Sequence, residues 1–188
     1  MSTLLRNLQE HQALMNALPA LDDAVEHAGS LIAQSLERGG KLLLCGNGGS
    51  AADCQHIAAE LTGRFIKDRR PLAAIALTTD SSALTCIGND YSFDHVFVRP
   101  LQGLGRGGDC LLAISTSGNS GNVIHAVEAA RAMGITTIGL LGRDGGKLAA
   151  LCDTAIVVPG QATARIQEAH ILIGHTLCNI IESQLGLA

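Results

Sequence analysis

The sequence predicts an α/β fold: a three-layer αβα sandwich around a five-stranded parallel sheet, with helical segments added at both ends. Three observations carry that prediction. Five short β-prone runs are apolar throughout, without the alternation of a strand that has one wet face, so each suits a strand covered on both sides. Segments of helical periodicity lie between them, and alternation of this kind implies right-handed crossovers onto a parallel sheet. The chain also has no Trp, one Tyr and three Phe. Its core must therefore be filled by Leu, Ile, Val and Ala, which lets helix and sheet layers approach closely.

Taken in order, the first forty residues read as helix, two segments broken near Pro19. The first strand is KLLLCG, from Lys41. An Ala-rich helix follows over residues 50–65, with apolar residues at three- and four-residue steps. Next come the strands LAAIAL from Leu72 and CLLAIS from Cys110, a helix over 122–133, and the strands ITTIGLL from Ile135 and TAIVVP from Thr154. A long helix over 164–185, whose one glycine is Gly174, closes the chain. No linker, repeat or low-complexity stretch interrupts the pattern. The expectation is one domain over residues 1–188, with an N-terminal helical extension (1–40), an αβα core (41–160) and a C-terminal helix (161–188).

Composition narrows the function. Nearly no aromatic side chains and a net charge of −4 argue against a nucleic-acid module, which needs stacking faces and a basic surface. The six cysteines stand singly, without a C-x-x-C pair, so a thiolate zinc knuckle or a redox dithiol is not expected. The first residues lack the basic flank and apolar stretch of a signal peptide, and no later run is long enough to span a bilayer. The expected setting is the reducing cytoplasm, away from membranes.

In open α/β sheets ligands sit beyond the carboxyl ends of the strands. Two loops there have suggestive chemistry. CGNGGSAADCQH follows the first strand, and Gly46, Gly48 and Gly49 leave its backbone open to a ligand. Ser50 is expected to cap the next helix. The loop is neither a Walker A nor a dinucleotide fingerprint, and a plain tight turn would look the same. STSGNS, Ser115 to Ser120, is more telling: three Ser and one Thr face a helix start whose free N–H groups attract an anion. Hydroxyl-rich turns also serve as simple caps.

His56 and Glu60 lie four residues apart and share a helix face, a spacing shared by metal sites and by ordinary surface contacts. On the last helix Gln167, Ile171 and His175 form a slowly drifting stripe, while His170 and Glu168 fall on other faces and are expected to be structural or interfacial. Two imidazoles and a carboxylate suit zinc. Aldose–ketose isomerisation needs a base at carbon, an acid/base partner at oxygen and polarisation of the carbonyl, which Glu, His and a metal would supply.

GNGGSAADCQHIAAELTGRF, TTDSSALTCIGNDYSFDHVF, GDCLLAISTSGNSGNVI and ARIQEAHILIGH together resemble the sedoheptulose 7-phosphate isomerases, or phosphoheptose isomerases, of the SIS (sugar isomerase) domain family, over nearly the whole chain. The resemblance implies a flavodoxin-like fold and a homotetramer with active sites at subunit interfaces. It implies a zinc ion on His56, Glu60, Gln167 and His175, with Glu60 as the base at carbon and His175 as acid/base partner. Phosphate would rest on Ser115, Thr116, Ser117 and Ser120, and the sugar chain on Asn47, Gly48, Gly49, Asn89 and Asp90, with Glu60 and Gln167 also touching substrate. The implied reaction converts sedoheptulose 7-phosphate to D-glycero-D-manno-heptose 7-phosphate, the first step towards ADP-heptose for lipopolysaccharide or S-layer glycans.

Position 164 is Ala where some members place Asp, so an acid there cannot be essential to catalysis by this chain. Two other classes share the pattern: the DnaA initiator-associating protein, a tetrameric binding protein lacking part of the metal set, and phosphosugar-sensing SIS modules of transcription regulators. Retention of Glu60 and His175 favours the enzyme over the first, and the absence of a DNA-binding extension disfavours the second.

Overall fold

The computed structural model describes residues 1–188. Helix α1 (Thr3–Met15) and helix α2 (Asp22–Glu37) are joined by a 3-10 turn, Leu18–Leu21, with Pro19 in its first turn, where its missing N–H is no loss. There follow β1 (Leu42–Gly46), α3 (Gly49–Thr62), β2 (Ala74–Ala76), α4 (Ser81–Asp90), α5 (Val98–Leu104), β3 (Cys110–Ser115), α6 (Gly121–Ala132), β4 (Thr136–Gly142), α7 (Gly146–Leu151), β5 (Thr154–Val158) and α8 (Thr163–Gln184).

All five expected strands are present, parallel, in the order β2-β1-β3-β4-β5. This is the flavodoxin-like order, and it reverses direction between β1 and β3. The continuous apolar runs have the meaning expected of them. Leu42 and Leu44 of β1 point into a layer formed by α2, α3 and α8, whereas Leu43 and Cys45 point into the opposite layer, under α5, α6 and α7. At the amino edge of the sheet the buried carboxylate of Asp109 accepts from the Lys41 N–H (2.9 Å), the Lys41 ammonium (2.6 Å) and the Arg106 N–H (2.8 Å), tying the start of β1 to β3.

The helical boundaries need two adjustments. The helix expected over 50–65 starts one residue earlier and ends at Thr62. Helices α4, α5 and α7 were not anticipated. Helix α4 shows why: Ile87 is its one buried residue, with only Ala83 and Leu84 packed beside it, a stripe of one turn, although Asp80 caps it by accepting from the Ala83 N–H at 2.9 Å. No helix is long and apolar enough to cross a membrane.

Candidate active site

The first loop leaves β1 and turns at Gly48, which has φ +57° and occupies the N-cap of α3. A side chain is strained at that φ, so glycine is the fitting residue. Ser50, expected to be the cap, is instead inside the first turn and buried. The backbone has already entered the helix at Gly49, and Ser50 tucks in beside Gly46. Asn47 makes a reciprocal amide pair with Asn122 of α6: each Nδ2 donates to the other's Oδ1, at 2.8 and 2.9 Å. The pair spans the crevice between β1 and β3, where the strand order reverses, and links the first loop to the helix that follows the second.

The second loop runs from the end of β3 to Ser120, the N-cap residue of α6. Ser115 is buried. Its hydroxyl accepts from the Gly118 N–H (3.1 Å) and pairs with the Ser120 hydroxyl (3.0 Å). Thr116, Ser117 and Ser120 are half-buried. The Ser120 hydroxyl makes no bond to the N–H groups of its own helix. Asn119 braces the loop by donating to the Ser117 carbonyl at 2.9 Å and accepting from the Lys147 N–H at 3.1 Å. The loop itself offers hydroxyls and helix N–H groups and no carboxylate, although that of Asp94 lies against Gly121 at the start of α6.

On the other layer α3 and α8 run parallel and meet at two close approaches. A β-carbon on Gly49 would collide with the Gln167 amide, which therefore lies against the first loop. One on Gly174 would sit 2.6 Å from Ile57 Cδ1. This second approach falls between His56 and His175 and brings their Nε2 atoms to 3.0 Å. Glu60 Oε1 lies 3.1 Å from His56 Nε2, and the ligand atoms of His56, Glu60 and His175 are all within 4.8 Å of one another. Phe65 stacks on the His175 ring, with centroids 5.5 Å apart.

Two imidazole nitrogens facing each other at this distance repel unless a proton or a cation lies between them. With a carboxylate oxygen beside them they form a donor set suited to a divalent metal of zinc's character. Gln167 stands two turns earlier on α8 and offers its amide from the first-loop side. Cys178, one turn beyond His175, is not part of the set. Burial, with help from the carboxylates of Glu60 and Glu182, pushes its thiol up to about 12, so it packs as a neutral apolar group.

His170 and Glu168 point elsewhere. Nε2 of the buried His170 lies 3.1 Å from the Leu141 carbonyl, and burial pulls the imidazole down to about 4, so it is a neutral donor to the end of β4. Glu168 pairs with His11 of α1 at 2.8 Å and with Arg165 at 2.7 Å. Asn89 and Asp90 do not join the cluster within one chain. They sit exposed at the end of α4, which packs mainly on the 3-10 turn Phe93–His95. There the Asn89 amide, and then the Cys86 thiol, hydrogen-bond to Asp90 and hold its carboxyl below its ordinary value.

Sequence reasoning missed Asn122, Arg69 and Glu182. A buried Asn at the second position of a helix is a signal in hindsight, since its amide needs a partner. Arg69, one of two adjacent arginines in a polar stretch, gives no such signal.

Fold and site together define a class: doubly wound α/β proteins that carry a hydroxyl-rich loop and a His/Glu/His group over the carboxyl edge of one parallel sheet. The chain belongs to the SIS domain family, whose model matches residues 8–142. It is 53% identical to a phosphoheptose isomerase of Aliarcobacter butzleri, over 98% of each chain. The solved structure of a phosphoheptose isomerase from Neisseria gonorrhoeae superposes with a TM-score of 0.86 at 51% identity, covering 96% of this chain and 95% of that one. That of a phosphoheptose isomerase from Francisella tularensis gives 0.90 at 37% identity, over 97% and 100%.

Proposed function

We propose that the chain is a sugar-phosphate isomerase converting sedoheptulose 7-phosphate to D-glycero-D-manno-heptose 7-phosphate. The observation that carries this is the convergence of His56, Glu60 and His175, in a chain similar over its full length to phosphoheptose isomerases. In this reading the phosphate rests on Ser115, Thr116, Ser117 and Ser120, where hydroxyls and the start of α6 neutralise it without a fixed cation. Asn47, Gly48 and Gly49 hold the sugar chain, so that its carbonyl end lies over α3 and α8.

The Glu60 carboxylate removes the proton from C1 of the ketose and returns it to C2, through an enediol(ate). His175 moves the matching proton between O1 and O2. A zinc ion held by His56, Glu60, Gln167 and His175 supplies, when bound, the polarisation of the carbonyl. Asn89 and Asp90, remote from the cluster within one chain, reach the sugar of a neighbouring subunit in a homotetramer with interfacial sites. The setting is cytoplasmic, and the product feeds ADP-heptose formation.

The test is direct: purified protein is incubated with sedoheptulose 7-phosphate and aldose formation is followed by NMR, with elemental analysis for zinc before and after chelation. Absence of the aldose signal from metal-replete, folded protein refutes the assignment.

A further inference from the structure

The loop after α3 buries an arginine. The Arg69 side chain is 3% exposed and that of its partner Glu182, on α8, is 2% exposed. A guanidinium taken out of water is strongly unfavourable unless its donors are met. Here they are met in a particular place. Nε donates to Glu182 Oε1 (2.7 Å) and Nη2 to the Glu60 carbonyl (2.7 Å), while Nη1 faces the carbonyls of Leu61 (2.8 Å), Gly63 (3.0 Å) and Arg70 (3.2 Å). The guanidinium thus closes the last turn of α3, where carbonyls lack helical partners and the dipole is negative, and binds that turn to α8.

Two facts connect this clamp to the metal group. The carbonyl it grips most closely belongs to Glu60, whose side chain is one of the three converging ligands. Glu182 lies two turns beyond His175 on α8, so the clamp fixes the C-terminal end of the same helix pair that Gly49–Gln167 and Ile57–Gly174 fix further up. The close approaches at Gly49 and Gly174 limit how near the helices can pack but direct no hydrogen bond between them, whereas a fork of directed hydrogen bonds fixes their register. Stability alone is a poor reason for such a pair, since apolar residues of similar volume often serve a fold as well or better.

We propose that Arg69 and Glu182 are positioning residues for the metal group, setting the register of α3 on α8 so that Glu60 and His175 meet at one ion. The proposal rests on the metal-dependent reading given above. The test uses the purified full chain loaded with Co(II), whose visible d–d bands report ligand geometry. In R69M/E182M, melting temperature and oligomeric state are expected to stay near those of the parent. Co(II) affinity is expected to fall about 10- to 100-fold with altered bands, and kcat to drop with KM nearly unchanged.

R69K serves if the double variant does not fold: it keeps a charge for Glu182 but cannot fork across the Glu60, Leu61 and Gly63 carbonyls. A loss in the same direction is expected. Parental Co(II) affinity and spectrum in either folded variant overturns the proposal alone. If the parent chain itself takes up no Co(II), the metal reading fails and this proposal falls with it.

Discussion

Gly174→Ala places one methyl group at one of the two close approaches of α8 to α3. The added carbon would lie 2.6 Å from Ile57 Cδ1 and 2.9 Å from Ile57 Cγ1, against about 3.5–4.0 Å for relaxed carbon contacts. Ile57 is 1% exposed and enclosed by the core, so the deficit of about 1 Å is met by separation of the helices. Overpacking of this kind costs about 1–3 kcal/mol, and the helix-forming gain of Ala over Gly offsets about 1 kcal/mol. The net loss is about 0–2 kcal/mol, a fall in melting temperature of at most about 8 °C for a domain of this size.

Function is expected to suffer far more. His175 is the next residue, and its nitrogen is placed against His56 at 3.0 Å. A displacement of about 1 Å in a reacting constellation costs about 100-fold in rate. The assay pairs a thermal melt with kcat for aldose formation and with zinc content. Ile57→Val in the Gly174→Ala background removes Cδ1 and is expected to restore part of the rate. A folded Gly174→Ala protein with parental kcat and metal content would refute the view that this contact sets the site.

Glu60→Gln and His175→Gln are each expected to lower isomerisation by at least about 100-fold, with the melt nearly unchanged; full turnover in either removes its acid/base role. Ser117→Ala with Ser120→Ala takes two hydroxyls from the second loop and is expected to weaken phosphosugar binding by about tenfold or more. Unchanged affinity in a titration with the substrate would place the phosphate elsewhere. His170 carries a pH dependence. Its imidazole lies near 4 when folded and near 6.5 when free, so below pH 6.5 the unfolded chain takes up a proton that the folded chain refuses. The stability tied to this group is therefore full above pH 6.5 and declines towards pH 4, by roughly 3 kcal/mol over that window. His170→Gln keeps a donor for the Leu141 carbonyl without titrating in this range, and its urea midpoint is expected to fall less between pH 7 and pH 5.

The sheet was legible because buried parallel strands have an unmistakable texture. LLLC (42–45) and CLLAI (110–114) are apolar without a break, and both strands are covered on both faces. LAAIAL was legible in kind but not in extent. It lies at the edge of the sheet and only Ala74–Ala76 pair with β1. Helices α4 and α7 were illegible because their apolar contacts span little more than one turn, Ala83, Leu84 and Ile87 in one and Leu148, Ala149 and Leu151 in the other, too short for a periodicity. In the site, the i, i+4 spacing of His56 and Glu60 placed them on one face, but nothing local in the sequence points from them to His175. That meeting depends on a glycine in α8 whose value is the space it leaves. The Asn47–Asn122 pair and the Arg69 clamp were invisible for the same reason: each is a hydrogen-bond partnership made by the fold between residues that are ordinary in their own neighbourhoods.

The metal group has a consequence for the order in which the protein is made. His56 and His175 are separated by 119 positions, with all of the sheet after β1 in the chain between them. A polypeptide growing from its N-terminus therefore carries a His/Glu pair and no third ligand until α8 has been synthesised and docked. Two exposed side chains hold a cation weakly. For the metal ion proposed above, loading is thereby deferred to the end of folding, and a retained ion would mark that the last helix has seated.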